Sequence, residues 1–349
     1  MSVHRAFTDR ASVSVVIPTY NYGRFLEGCV ESVVAQEGVN AQVLVIDDQS
    51  TDNSKEVGEA LASKHENVTM ISHRVNRGRI ATYNEGLFEW ADGKYSLLLS
   101  ADDRLTKGAL ARAVDIMEDH PKVGLVYGRC ALFSTAEDNV PWTDRRVRPP
   151  RVWEGREWLA KRYMDGMNNV ITPTVIVRTE TQRRVGPYNA ALPHAADFEM
   201  WLRFAAVSDV GFVRAAQALY RIHSSSMSQH VNLDPLADAR ERKQVFETIA
   251  EQYGFALSAA GTSIEDAYRA IASERLWQLC RMYEKGKVHE IVEAEWVDFA
   301  KSTFPAAPSL HAFRAYERRR RMGVPLCRTQ VFFGTHVARR LRRKWSLDR

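Results

Sequence analysis

The chain of 349 residues holds only four cysteines, Cys29, Cys130, Cys280 and Cys327, which are far apart and form no C-x-x-C pair. A disulfide framework and a thiolate zinc site are therefore not expected, and a reducing cytoplasm fits better. No run of about 18 apolar residues occurs, so no helix is expected to span a membrane. The first residues, Met1 to Ser12, lack an apolar h-region, and no secretory signal is expected. No G-x-G-x-x-G follows the first predicted strand, and no G-x-x-x-x-G-K followed by Ser or Thr occurs. Neither a dinucleotide fingerprint nor a P-loop is supported. Internal repeats and low-complexity tracts are also missing. With 45% apolar and 26% charged residues, the composition is that of a globular protein.

Charge is present but unevenly placed. The net +5 conceals a stretch from His311 to Arg349 with twelve Lys/Arg against Glu317 and Asp348. That segment carries +10, so residues 1–310 carry −5. The basicity belongs to a tail and the body is mildly acidic.

Along the body, strands alternate with helices. Ser14–Pro18 is a β-branched run ending in the turn cluster Thr19-Tyr20-Asn21. Phe25, Cys29, Val30 and Val33 recur at helical spacing. Ala41–Ile46 predicts a strand ending at Asp47-Asp48, with Ser50-Thr51-Asp52 capping a helix to about Lys64. Val68–Ile71 predicts a third strand, Ile80–Trp90 a helix, and Tyr95–Leu99 a strand ending at Ser100-Ala101-Asp102-Asp103. This alternation predicts an α/β fold with a doubly wound, mostly parallel sheet, whose ligands bind at the carboxyl ends of its strands. The middle is less regular, with Val175–Val177 a strand candidate and Asp197–Ala206 a helix. From Asp234 the pattern is helical: 237–253, 263–284 and 288–299. The expected divisions are an α/β half at 12–125, a second half of the same domain at 126–231, and a helical region at 232–349 with a basic amphipathic tail.

Several carboxylates stand where chemistry is expected. Asp102 and Asp103 repel each other unless a cation or donors compensate; oxygen ligation suits Mg²⁺ or Mn²⁺ shared with substrate phosphates. The plainer alternative is a solvated turn with Asp103 capping the next helix. Asp47-Asp48 could accept hydrogen bonds from a base or ribose, or form an Asx-turn. Asp197 opens a helix, as a cap or as a general base. Arg221 and His223, at the end of a strand, could meet phosphate or metal.

In their order these segments resemble the family 2 glycosyltransferases, inverting enzymes of the GT-A fold. The resemblance runs through Ser14-Val-Val-Ile-Pro-Thr-Tyr-Asn21, Val45-Ile-Asp-Asp-Gln-Ser-Thr-Asp52, Asn76-Arg-Gly78, Asn84-Glu-Gly86 and Leu99-Ser-Ala-Asp-Asp103. It continues in Val185-Gly-Pro-Tyr188, Ala196-Asp-Phe-Glu-Met-Trp-Leu-Arg203 and Tyr220-Arg-Ile-His223, covering roughly residues 12–230. It implies a GT-A type, Rossmann-like mixed sheet with a helical C-terminal extension. Pro18, Tyr20, Asp48, Arg79, Ser100, Asp102 and Arg221 are implied in binding the donor, and Asp102, Asp103 and His223 in binding Mn²⁺ or Mg²⁺. Asp197 is implied as the catalytic base. Two positions depart from the family pattern: Ser100 replaces the first acid of Asp-Ala-Asp-Asp, and Ala196 replaces an acid before the base.

The implied reaction moves a sugar, of hexosyl type, from a nucleotide-diphosphate sugar to a hydroxyl of a glycan or lipid-linked glycan, as in polysaccharide or cell-envelope biosynthesis. A metal neutralises the departing diphosphate and Asp197 takes the acceptor proton. A nucleotidyltransferase acting on sugar phosphates is an alternative, but Thr19-Tyr-Asn-Tyr-Gly23 lacks its Gly-rich basic loop. A degenerate nucleotide-sugar binder is another, motivated by Ser100 and Ala196. No nucleic-acid partner is expected, because the body is acidic and its basic residues are not interleaved with stacking aromatics. In the tail, Phe333, Val337, Leu341 and Trp345 recur every four residues among arginines. The expectation is a cytoplasmic enzyme, with residues 311–349 either lying on the anionic inner face of a membrane or packed on the body.

Overall fold

The computed structural model describes residues 10–134, 149–223 and 234–328. Residues 135–148 lie outside these, and so does the amphipathic segment after residue 328. By its internal contacts the chain divides into two compact units. One comprises residues to Leu159 with Val170–Leu233; the other comprises Ala160–Asn169 with residues from Asp234.

The first unit is built on one sheet of nine strands among the described residues, in the order β3-β2-β1-β4-β8-β6-β9-β5, with β7 paired to β9. The strands are β1 (Ser12–Thr19), β2 (Asn40–Asp47), β3 (Val68–Ser72), β4 (Tyr95–Leu98), β5 (Arg104–Leu105), β6 (Val123–Phe133), β7 (Arg151–Trp153), β8 (Ile176–Arg178) and β9 (Asp209–Arg221). Helices α1 (Gly23–Val34), α2 (Ser54–Lys64), α3 (Arg79–Asn84), α4 (Ala109–Asp119), α5 (Gly155–Asp165), α6 (Thr179–Val185) and α7 (Ala196–Val207) accompany it. β1, β2, β3 and β4 are mutually parallel, and β8 enters antiparallel to β4 and β6. The sheet is therefore mixed, as the resemblance implied. β1 is buried on both faces, with Val13, Val15, Val16 and Ile17 inaccessible, which explains its near-continuous apolar sequence. β6 runs across position 125/126, so the expected division between two halves cuts a strand.

Parallel pairing in the order β2-β1-β4 places three carboxyl ends side by side. The polar clusters 19–21, 47–50 and 100–103 thus come to one edge. They are stitched together there: the Asp48 amide donates to the Thr19 carbonyl at 3.0 Å, and Thr51 N–H donates to Asn21 Oδ1 at 2.8 Å. Asn21 and Gln49 accept positive φ of 59° and 64° in these turns.

The predicted helix 80–90 is α3 followed by a π-helical stretch, Glu85–Trp90. Gly86 explains the close fit there, since a Cβ would lie 2.3 Å from Val16 Cγ1 and 3.1 Å from Ile46 Cδ1.

The second unit is helical: α8 (Pro235–Gln252), α9 (Gly254–Ala259), α10 (Ile264–Lys285), α11 (Glu290–Thr303) and α12 (His311–Cys327). Asp234 caps α8, and Ser263 with Asp266 forms a capping box on α10. Its core includes Val245, Phe246, Ile249, Ile271, Leu276 and Leu279. Arg242 is buried between Asp238 and Glu274, at 3.0 and 2.7 Å. α12 breaks at Gly323 (φ 72°). Gly86→Ala is expected to lower unfolding stability by about 1–3 kcal/mol through overpacking against Val16; urea denaturation measures it, and an unchanged midpoint would contradict the packing account.

Candidate active site

The acidic pair after β4 is resolved into two different environments. Asp103 is 1% exposed. Its Oδ1 accepts the Arg221 amide at 2.9 Å, while its Oδ2 is buried with no hydrogen-bond donor. Burial, and then the neighbouring Asp102 charge, push its carboxyl well above the usual carboxylate range. The helix-cap alternative for Asp103 does not hold, because α4 starts after Gly108 in a left-handed conformation. Asp102 instead faces His223, whose Nε2 lies 2.9 Å from Asp102 Oδ2.

β9 delivers this partner. The two-residue strand β5 pairs antiparallel with β9, Arg104 opposite Leu219, so the chain leaving Asp103 aligns the end of β9 beside it. Arg221 is 4% exposed and lies over the rings of Phe25 and Phe133, at 4.5 and 4.1 Å. Its Nε donates to the Asp102 carbonyl at 3.0 Å. Expected beside a diphosphate, Arg221 is instead caged and holds the acidic turn. His223 packs against Tyr22 and Phe25, with ring centroids 5.6 and 5.1 Å away.

Asp48, 4% exposed, is saturated by a neighbouring loop. Arg77 and Gly78 amides donate to it at 2.7 and 2.9 Å, and His73 Nδ1 lies 2.7 Å from it. Burial opposes its charge, yet these donors hold its carboxyl below the ordinary value. Asp47 makes the Asx-type turn, accepting from the Ser50 amide at 3.2 Å. Tyr20 is half exposed at the same edge, and Pro18 lies at the end of β1. The Ser100 carbonyl accepts the Asp103 amide at 3.0 Å and the Cys29 thiol. Arg79 opens α3 after Gly78.

Asp197 is the second residue of α7, behind the N-cap Ala195. Both its oxygens are engaged: Oδ2 accepts from Thr172 Oγ1 at 3.0 Å and Oδ1 from the Phe198 amide at 2.6 Å. Tyr83 relates the two acidic sites. Burial, with Asp197, Asp102 and Asp103 acting against Arg79, pushes its phenol up to about 12. Tyr83, Thr172, His73 and Glu85 were missed in the sequence; their roles depend on contacts made across loops.

Among the described residues no group of three or more His, Cys, Asp or Glu side chains forms a metal cage. The adjacent Asp102 and His223, and the orphaned Asp103 oxygen behind them, still fit a divalent cation that takes its other ligands from a diphosphate.

The profile of "Glycosyl transferase family 2" matches residues 14–187. The chain belongs to glycosyltransferase family 2. Escherichia coli YibD, described as an uncharacterized glycosyltransferase, is 32% identical over 150 residues, 42% of either chain. A Mycobacterium tuberculosis protein, MT1568, is 28% identical over 211 residues, 58% of this chain and 64% of its own. The matches thus span less than two thirds of these relatives' lengths. Staphylococcus aureus TarS 1–349, solved with UDP-GlcNAc, superposes with a TM-score of 0.61 at 17% identity, over 88% of each chain. The glycosyltransferase fold is of the GT-A type.

Arg221→Met is expected to lower stability by about 2 kcal/mol, by removing the donor to Asp102 and the cation between two rings. Urea unfolding tests this; wild-type stability would show that the cage does not hold the turn.

Proposed function

We propose that this chain is a metal-dependent inverting glycosyltransferase that moves a sugar from a nucleotide-diphosphate sugar to a hydroxyl of a glycan or lipid-linked glycan. The observation that carries this reading is the presence, in one unit, of the Asp102/His223 pair and of a separately oriented carboxylate, Asp197. The loops after β1 and β2, with Tyr20, Asp48 and Arg79, receive the nucleoside. Asp102 and His223, backed by Asp103, would hold Mn²⁺ or Mg²⁺, which would supply charge neutralisation for the diphosphate.

Asp197 removes the acceptor proton. Thr172 Oγ1–H and the Phe198 amide fix the orientation of its carboxylate toward an incoming hydroxyl. The proton leaves late, when the attacking oxygen has become acidic, so an ordinary carboxylate suffices. Arg221, held between the half-buried Phe25 and the buried Phe133, keeps the Asp102 backbone in place. Displacement from the face opposite the diphosphate inverts the anomeric centre.

The second unit supports a role in placement. α12 buries Tyr316 and Arg319, which bond Glu293 and Glu284, and turns Arg314, Arg318, Arg320 and Arg321 outward. No helix among the described residues is long and apolar enough to cross a membrane. Residues 311–349 would instead bring the enzyme to the anionic inner face of a membrane, at about 1 kcal/mol per basic residue.

A panel of nucleotide sugars with Mn²⁺ and Mg²⁺ tests the activity. Asp197→Asn is expected to keep donor affinity and lose about 10²–10⁴-fold in transfer; normal turnover would remove Asp197 from the mechanism. Donor binding by the wild type without transfer to any acceptor would favour a degenerate binder. Full-length protein is expected to sediment with anionic vesicles and a chain ending at Arg328 to do so less; equal, negligible binding would contradict membrane placement.

A further inference from the structure

The contacts of His73 are explained by neither the catalytic carboxylates nor the metal site. Its ring lies between two acids, with Nδ1 2.7 Å from Asp48 Oδ1 and Nε2 3.0 Å from Glu85 Oε2. The His73 and Asp48 side chains are 8% and 6% exposed, so water is nearly excluded. Ionised carboxylates only accept hydrogen bonds, and a neutral imidazole carries one N–H. Either neutral tautomer therefore leaves a nitrogen lone pair facing a carboxylate oxygen. An imidazolium donates to both.

The surrounding charges agree with that form. The charged groups facing the ring are Asp48 at the end of β2, Glu85 at the start of the π-helical stretch, and Arg77, which pairs with Glu85 from the intervening loop. Two acids and one arginine leave one negative charge, which an imidazolium cancels. An uncompensated charge in such a site is strongly unfavourable.

The loop is wound on the same centre. The His73 amide donates to the Asp47 carbonyl at 2.8 Å. Asn76 Nδ2 donates to the Asp48 carbonyl at 2.9 Å, and Gln49 bridges the Arg74 carbonyl and the Asn76 amide. Arg77 and Gly78 amides close on the Asp48 carboxylate. We propose that His73 is a positioning residue of the donor site: as an imidazolium clamped between Asp48 and Glu85, it fixes the 73–78 loop and the Asp48 carboxylate that the nucleoside meets. This rests on the donor-site reading above.

The test uses ¹⁵N-labelled full-length protein between pH 6 and 9. It follows the His73 ring nitrogens, hydrogen exchange of the Arg77 and Gly78 amides, and affinity for UDP and for GDP with Mn²⁺. In the wild type, both ring nitrogens should carry protons at pH 6. As the ring deprotonates, protection of both amides should fall, and nucleotide affinity should fall about tenfold with it. His73→Gln should show weak protection at every pH and an affinity without that pH dependence; Glu85→Gln should move the transition to lower pH. A neutral ring at pH 6, or unchanged amide protection and pH profile in His73→Gln, would overturn the clamp. Clamp behaviour as described, with no nucleotide bound at any pH, would overturn the positioning role through failure of the donor-site reading.

Discussion

Two carboxylates in sequence at the end of a buried strand repel each other, and much of the first unit is arranged around that repulsion. Asp103 is withdrawn from water and given the Arg221 amide, from 118 positions along the chain. Asp102 is given His223. Both partners come from the end of β9, so β9 must finish beside the acidic turn that follows β4. The two-residue β5 secures this by pairing with β9 immediately after the acids. Phe25 on α1 and Phe133 on β6 then enclose Arg221, which ties the first helix and the longest crossover to the same turn. Without those connections, the carboxylates would have either to separate or to protonate.

The same edge manages charge in three places by different means. Around Asp48, donors are supplied by a loop and a histidine, and the carboxylate is kept ionised. Around Asp103, burial and the neighbouring Asp102 charge push the carboxyl upward. Around Asp197, a hydroxyl and an amide orient the group without enclosing it. In the proposed reaction these become nucleoside recognition, diphosphate management and proton removal. An acidic body carrying a basic C-terminal segment accords with that division: the clustered acids call for a cation at the chemistry, and the arginines lie on another unit.

The strands that could be read from sequence are short apolar runs ending in polar turns: β1, β2 and β4 are largely buried, and β3 is partly exposed. The parallel order of β1 to β4 follows from the helices between them. β6 and β9 were harder, because their half-exposed residues break the apolar run and their pairing joins distant positions, Val123 with Asp209 and Phe133 with Arg221. Asp102, Asp103 and Asp197 stood out because strand ends and helix starts are visible locally, and because the motif order resembles a family. Arg221 was legible as a residue but not as a caged one, since its surroundings come from Phe25 and Phe133. His73 carried no local signal, and Glu85 stood only as part of the Asn84-Glu-Gly86 motif; the fold of the 73–85 segment sets one ring between two acids. The helix expected over 80–90 was found, but its change to π geometry depends on Gly86 meeting Val16, a tertiary contact.

The central claim is that the edge formed by Asp48, Asp102 and His223 is a nucleoside-diphosphate site facing Asp197. A crystal structure of the chain with a nucleoside diphosphate and Mn²⁺ tests it most directly. The account predicts the base in the turns after β1 and β2, and the metal and diphosphate against Asp102 and His223, with open space before Asp197. A diphosphate bound elsewhere, or a metal that avoids Asp102 and His223, would contradict it.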